Sequence, residues 1–297
     1  MDYNEFVNQL QKKLQSCLGE AVFVEYHRIT KNNGIHRDCF LISEKGKNVS
    51  PAVYLEEYFR ASREGMELEK IAEQICRLYQ RCLTQVSFDA GMFACFSEIR
   101  NRILCRVINR EKNRELLERI PFVPYLDLAI VFYVMLEDQS FGSGTVTIGR
   151  DHLRFWDVDG DTLYQIAREN TKKLLPCRVC DMREILSEML TEEEIHFYPL
   201  DKLPMYVLTN EKRQLGACGI LYDSVLSDAA AVMGDSFYVL PSSIHECILV
   251  PQKLAPEPEK LSAMVHDINC TQVLPEEVLS DRVYCYNARK HHLFLAV

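Results

Sequence analysis

The longest apolar run in the chain, residues 128–136, reads Leu-Ala-Ile-Val-Phe-Tyr-Val-Met-Leu. It is too short to cross a bilayer, which takes about 20 residues as a helix. Its β-branched and aromatic content marks it as a buried strand rather than a helix. The glycine-bounded segment 142–149 is expected to pair with it.

Around that strand the chain alternates helical and extended patterns. Phe6, Leu10 and Leu14, four apart, predict an amphipathic helix that Gly19 ends. Residues 22–29 and 35–42 read as two strands about Asn33-Gly34, a turn pair. Ser50-Pro51 breaks the chain before a helix carrying Tyr54, Leu55, Tyr58 and Phe59, and Leu68, Ile71, Ala72, Ile75 and Tyr79 mark one face of the next. Residues 92–119 read as helix up to the stop at Pro121, with a second proline at Pro124. The softest boundary falls there and divides the chain into 1–119 and 120–297, two parts that can also form one continuous domain. Thr162 and Gln165, in capping-box spacing, open a helix that Pro176 closes. The last third should hold a hairpin about 211–215, a helix over 224–233, a strand pair within 237–250, a helix over 259–269 and a closing strand pair at 283–286 and 293–297. The fold class predicted is α+β: an N-terminal helix, a hairpin and helices, then an antiparallel sheet with helices packed on one face.

A chain of 297 residues can bury a core without disulfide or metal staples. With 47% apolar and 26% charged residues it has ordinary globular composition, which excludes wholesale disorder and fibrous classes. Its 43 acidic and 34 basic side chains leave a net charge of −9, so phosphate contact would need a local basic stripe. The N-terminal residues lack the charged and apolar regions of a signal peptide. The 12 cysteines are scattered, as reduced and buried thiols are in a reducing compartment, so a cytoplasmic location is expected.

A set of ordered blocks then identifies kin. Asn32-Asn33-Gly34, Val49-Ser50-Pro51 with Tyr54-Leu55, and Leu126-Asp127-Leu128-Ala129-Ile130-Val131-Phe132-Tyr133 come first. Tyr206-Val207-Leu208-Thr209-Asn210, Leu240-Pro241-Ser242-Ser243-Ile244-His245-Glu246 and Leu279-Ser280-Asp281 follow. Together they resemble, over nearly the whole chain, an uncharacterised domain-of-unknown-function family from anaerobic Gram-positive bacteria. The resemblance implies a bacterial cytosolic protein accessory to genome or mobile-element biology.

The densest group of reactive side chains is Ser242, Ser243, His245 and Glu246, set between two apolar runs. Ser, His and Glu can supply a nucleophile, a base and an orienting acid. The alternative is structural, with the serines bonding turn amides and His245 and Glu246 pairing with each other. Asn210, after Thr209 at the end of a similar strand, is a candidate to complete a polar pocket there. Cys177 and Cys180 have the spacing of a zinc half-site but no second half, since His196 alone would leave three ligands. Asp157, Asp159 and Asp161 imitate the start of a calcium loop, which then fails at Thr162 and Arg168, so helix capping explains them better. Arg102, Arg106, Arg110 and Arg114 recur every fourth residue on the helix expected over 92–119, candidates for nucleic-acid contact. Glu98 and Glu118 lie in pairing distance along the same helix, so a solvated, salt-bridged face is preferred. His291 and His292 fall in the turn of the last hairpin, where neighbours on a strand point apart and chelate poorly.

No phosphate loop, dinucleotide fingerprint or metal motif occurs, so no cofactor and no metal is expected. The reading is a non-enzymatic binding or regulatory module with a protein partner, no membrane and no nucleic acid. The alternatives are a small hydrolase or transferase using Ser242 or Ser243 with His245, and nucleic-acid binding through the arginines.

Overall fold

Phe6, Leu10 and Leu14 line one side of helix α1 (Tyr3–Leu18), fully buried. Asp2 caps this helix and Gly19, at φ 84°, ends it. The structure is a computed structural model that describes residues 1–46, 50–83, 93–138, 142–188, 191 and 203–297. It has an α+β fold with antiparallel sheets. Its residues group into two compact units, Met1–Glu98 with Met135–Thr145, and Ile99–Val134 with Val146–Val297.

In the first unit, strands β1 (Val22–Thr30) and β2 (His36–Glu44) form the expected hairpin, and the short β3 (Ala52–Tyr54) pairs with β2. The Asn33-Gly34 turn is one 3-10 turn longer than a two-residue hairpin loop, with Asn33 at φ 60°. Part of the Val49-Ser50-Pro51 block lies outside the described residues. Helices α2 (Glu56–Arg63) and α3 (Leu68–Leu83) follow. Ile71, Ala72, Ile75 and Tyr79 of α3 join the α1 face in one cluster with Val22, Val24, Phe40 and Ile42. Each aliphatic side chain so buried contributes about 2 kcal/mol.

The helix expected over 92–119 is not formed. Residue 92 lies outside the described residues, and a short helix α4 (Phe96–Ile99) and a 3-10 turn at Arg100–Arg102 lead into strand β4 (Ile103–Asn109). Only Arg114–Arg119 is helical again, as α5. The four-residue arginine period imitates a helix, but Ile103, Leu104, Cys105, Val107 and Ile108 are buried on both faces of a strand. Pairing with the long apolar strand outweighs local helix preference. That strand is β6 (Leu128–Asp138); β4 and β5 (Phe122–Tyr125) flank it, and β7 (Gly142–Thr147) also pairs with it, as expected.

Helices α6 (Arg150–Trp156) and α7 (Gly160–Leu174) come next. Asp159, not Thr162, caps α7: its carboxylate accepts the Thr162 N–H at 2.7 Å. The helix starts two residues earlier than the Thr162 spacing suggested, because the ionised Asp is a strong acceptor for the free N–H groups. Thr171 of α7 accepts the Cys105 N–H at 2.9 Å and ties this helix to β4.

The larger sheet has the order β13-β12-β10-β11-β9-β8. Its strands are β8 (Cys177–Asp181), β9 (Tyr206–Asn210), β10 (Phe237–Leu240), β11 (Cys247–Pro251), β12 (Tyr284–Asn287) and β13 (His292–Leu295). Helices α8 (Met182–Ser187), α9 (Asp223–Met233) and α10 (Pro258–Thr271) join them. Leu261 and Val265 of α10 pack on Tyr238, Leu240 and Val250. The hairpin expected about 211–215 is not formed. After β9 the chain turns through Arg213 and Leu215, both at positive φ, into a buried 3-10 segment, Gly216–Leu221. No described helix is long and apolar enough to cross a membrane.

Candidate functional site

Pro241 ends β10 because it has no N–H for the ladder. The loop behind it is stitched down on two sides. Toward residues 277–280, the Pro241 and Ser242 carbonyls accept from Ser280 N–H and Leu279 N–H, both at 2.9 Å, and Ile244 N–H donates to Glu277 O at 2.9 Å. Toward the 3-10 segment, His245 O accepts from Gly216 N–H at 3.0 Å and from Thr209 Oγ1 at 2.9 Å. Gly216 is held so closely that a Cβ would fall 2.6 Å from Thr209 Oγ1, 2.7 Å from Asn210 N and 2.7 Å from His245 O.

The His245 ring is committed at both nitrogens. Nδ1 accepts the Leu215 N–H at 3.2 Å, which places the ring proton on Nε2, 3.3 Å from Glu277 Oε1. The expected pairing with Glu246 is replaced by Glu277, since neighbouring residues entering a strand point to opposite faces. Ser243 Oγ accepts the His245 backbone N–H at 3.1 Å, so the serine bonds a turn amide and not the ring. Asn210 is turned to its own loop: Nδ2 donates to Gln214 O at 2.6 Å and Oδ1 accepts Gln214 N–H at 3.3 Å. His245 and Asn210 thus brace the strained turn at Arg213 (φ 51°) and Leu215 (φ 56°). The structure brings Thr209, Ser243 and His245 together through backbone groups, and leaves Glu246 and Asn210 out of any relay with the ring.

The same seam gathers other blocks of the sequence. Asp127 accepts from Ser280 Oγ at 2.6 Å and from Tyr284 OH at 2.7 Å. Burial, with Asp127 alongside, drives the Tyr284 phenol well above its ordinary value, so it stays a donor. Asn109 Nδ2 donates to Leu279 O at 2.9 Å.

The arginine series is dispersed. Arg102 is in the 3-10 turn, Arg110 follows β4, and Arg114 opens α5 in an ion pair with Glu111. Arg106 sits inside β4, half-buried, with a buried Nε that has no hydrogen-bond partner among the described residues. Its guanidinium lies 5.7 Å from the centre of the Tyr133 ring. Burial lowers its pKa and Tyr133 opposes that shift; among the described residues no carboxylate acts on it. The strand register explains its setting, since Arg106 pairs with Val131, and the same face carries Leu104, Ile108 and Ala129.

Cys177 and Cys180 lie three apart on β8, so they project to opposite faces and cannot share one ion. His196 is outside the described residues. Among the described residues no three His, Cys, Asp or Glu side chains gather as metal ligands.

One constellation escaped the sequence. Ser227 of α9 lies with Oγ 3.1 Å from His291 Nδ1 and 3.0 Å from Tyr286 OH, and Tyr286 OH is 3.2 Å from the same ring nitrogen. His291 holds φ 49° in the β12–β13 turn. The turn was legible, but nothing in a helical serine far upstream announces the contact.

The model of a family of unknown function, DUF5688, matches residues 3–288, and the chain belongs to that family. This agrees with the resemblance drawn from the sequence blocks. Comparison with curated proteins and with solved structures finds no match.

Proposed function

We propose that this member of the DUF5688 family is a non-enzymatic binding module of the bacterial cytosol that receives an acidic group of a protein partner at Arg106. The observation that carries this reading is the unmatched cation. A guanidinium half-sunk in an apolar strand face, whose buried Nε has no partner and on which no carboxylate acts among the described residues, is costly to the free protein. An arriving carboxylate supplies the missing counter-charge, and arginine is the side chain best shaped to take it. The His245 ring supports the same reading from the other side, because both its nitrogens serve the fold.

The test is thermal melting of wild type and Arg106→Met with a tetraglutamate peptide as probe. Wild type should melt higher as peptide is added, by linkage, and the variant should not respond. A wild type indifferent to the peptide, with a variant that melts lower, would assign Arg106 to structure alone.

A second reading, a small hydrolase, rests on the Ser227–His291 contact of 3.1 Å, a nucleophile-to-base distance. It moves the catalytic serine away from Ser242 and Ser243. A serine-reactive phosphonate decides it: labelling at Ser227 that vanishes in His291→Ala supports the hydrolase, and an unlabelled chain removes it.

A further inference from the structure

Helix α10 carries His266 and Cys270 four residues apart, the spacing that sets two side chains on one face of a helix. Cys270 Sγ lies 3.7 Å from His266 Nε2, and His266 Nδ1 lies 3.6 Å from Asp281 Oδ2. An ionised carboxylate only accepts, so the ring proton sits on Nδ1 and Nε2 is left to accept from the thiol. Asp281 belongs to the Leu279-Ser280-Asp281 block, and the fold holds it in place. The buried Asn269 donates through Nδ2 to Asp281 Oδ1 at 2.7 Å and to Ser280 O at 3.1 Å, and Ser262 Oγ donates to Asp281 O at 3.0 Å. One carboxylate oxygen is thereby engaged by Asn269, and the other faces the imidazole.

Thiol, imidazole and carboxylate in that order are the parts of an activated nucleophile: a base in reach of the thiol, and a third group that orients the base. The set is open to solvent. Cys270 is exposed, and the His266 and Asp281 side chains keep 65% and 42% of their surface. Among the described residues Cys17 and Cys95 are the other exposed cysteines, and neither hydrogen-bonds an imidazole; Cys95 Sγ meets Ser97 Oγ at 3.1 Å instead. Cys39, Cys105, Cys218, Cys247 and Cys285 are buried. Among the described thiols, access and a neighbouring base therefore coincide only at Cys270.

We propose that Cys270 is a modification site that captures low-molecular-weight disulfides as mixed disulfides, with His266 as its base and Asp281 as the group that positions the ring. The Cys270 S–H proton passes to His266 Nε2 as the sulfur attacks one sulfur of the small disulfide. A new S–S bond forms, the old one breaks, and the leaving thiolate takes the proton back from His266. The sum is one protein thiol and one small disulfide giving one mixed disulfide and one small thiol, so the disulfide is itself the oxidant. The imidazolium formed in passing stands against Asp281 Oδ2, whose charge stabilises it. Asp281 follows Ser280, whose N–H is bonded to Pro241 O, so the captured group sits beside the seam described above.

The experiment uses the full reduced chain and 2-hydroxyethyl disulfide, an uncharged probe, at neutral pH. Samples quenched with a maleimide at intervals and digested with trypsin give a rate for each thiol. Cys17 falls in the peptide 14–28 and Cys270 in 261–282, each the only cysteine of its peptide. Cys270 should form its mixed disulfide about tenfold faster than Cys17 and Cys95 do. In His266→Gln its rate should fall to theirs while theirs stay as in wild type. Loss of folding would not give that pattern, since it would open the buried thiols to the probe as well. A wild-type Cys270 no faster than Cys17 and Cys95 would overturn the proposal, as would a Cys270 rate that His266→Gln leaves unchanged. Should the His266→Gln chain not fold, the wild-type rates decide alone.

Discussion

The seam around His245 and the apolar face around Arg106 treat their polar groups in opposite ways. At the seam, His245 has a partner at each ring nitrogen, Asn210 is closed on Gln214, and Asp127 accepts from both Ser280 and Tyr284. On the β4 face, a full positive charge stands against an aromatic ring with its Nε unpaired. Of the reactive residues crowded together in sequence, His245 and Ser243 are bonded within the fold, while the Nε of Arg106 has no partner among the described residues. Satisfied polar networks rigidify a structure. An unsatisfied buried group is retained at a cost, and such costs collect at functional positions.

The sharpest way to break this contrast is Gly216→Ala. Its Cβ would intrude on Asn210 N and His245 O, backbone atoms that cannot swing aside, as well as on Thr209 Oγ1. The variant should lose about 3 kcal/mol or more, at the upper end of overpacking costs, measured by urea denaturation. A loss no larger than that of an ordinary surface change would show the seam to be loose. His245→Ala comes next. It strands the Leu215 N–H and the Glu277 carboxylate together, for a loss of about 2 kcal/mol and a fall in melting temperature of about 5 °C. An unchanged melting temperature would return His245 to the list of catalytic candidates.

How much of this was legible follows from the range of the forces involved. The period of Phe6, Leu10 and Leu14 fixes α1, and the β-branched density of 128–136 fixes β6, because both patterns are local and apolar. The strand at Ile103–Asn109 was hidden by arginines that recur at helical spacing, and only its pairing with β6 reveals it. The structural reading of Ser242 and Ser243 could be weighed from their turn setting, but Glu277 could not be named as the partner of His245, since that contact joins separate loops. Cys180 drew attention to Cys177 by spacing, whereas the residue packed on the Cys177 sulfur, Gly219, comes from another element. The turn through Arg213 and Leu215 has no glycine at its left-handed positions, so no sequence signal distinguishes it from a hairpin.

Arg106→Met probes the other side of the contrast and reverses the sign. Methionine fills similar space among Leu104, Ile108 and Val131 without a charge to desolvate, so stability should rise by about 1 kcal/mol. If the variant instead loses stability, the contact with Tyr133 outweighs the desolvation, and the cation belongs to the fold in the way His245 does.

The smallest effect is expected from the remaining arginines. Arg102 and Arg110 are exposed, and Arg114 pairs with Glu111 at the surface, where such pairs add little. Replacing all three with glutamine should change stability by no more than about 0.5 kcal/mol. With Arg106 inside a strand and the other three on separate elements, they do not form one helix face that could follow a phosphate backbone. The triple variant should therefore match wild type in a salt-dependent DNA and RNA binding assay, with neither binding at physiological ionic strength. A salt-sensitive complex that weakens in the triple variant would show that dispersed arginines can still act together, and would put nucleic acid ahead of an acidic protein as the partner.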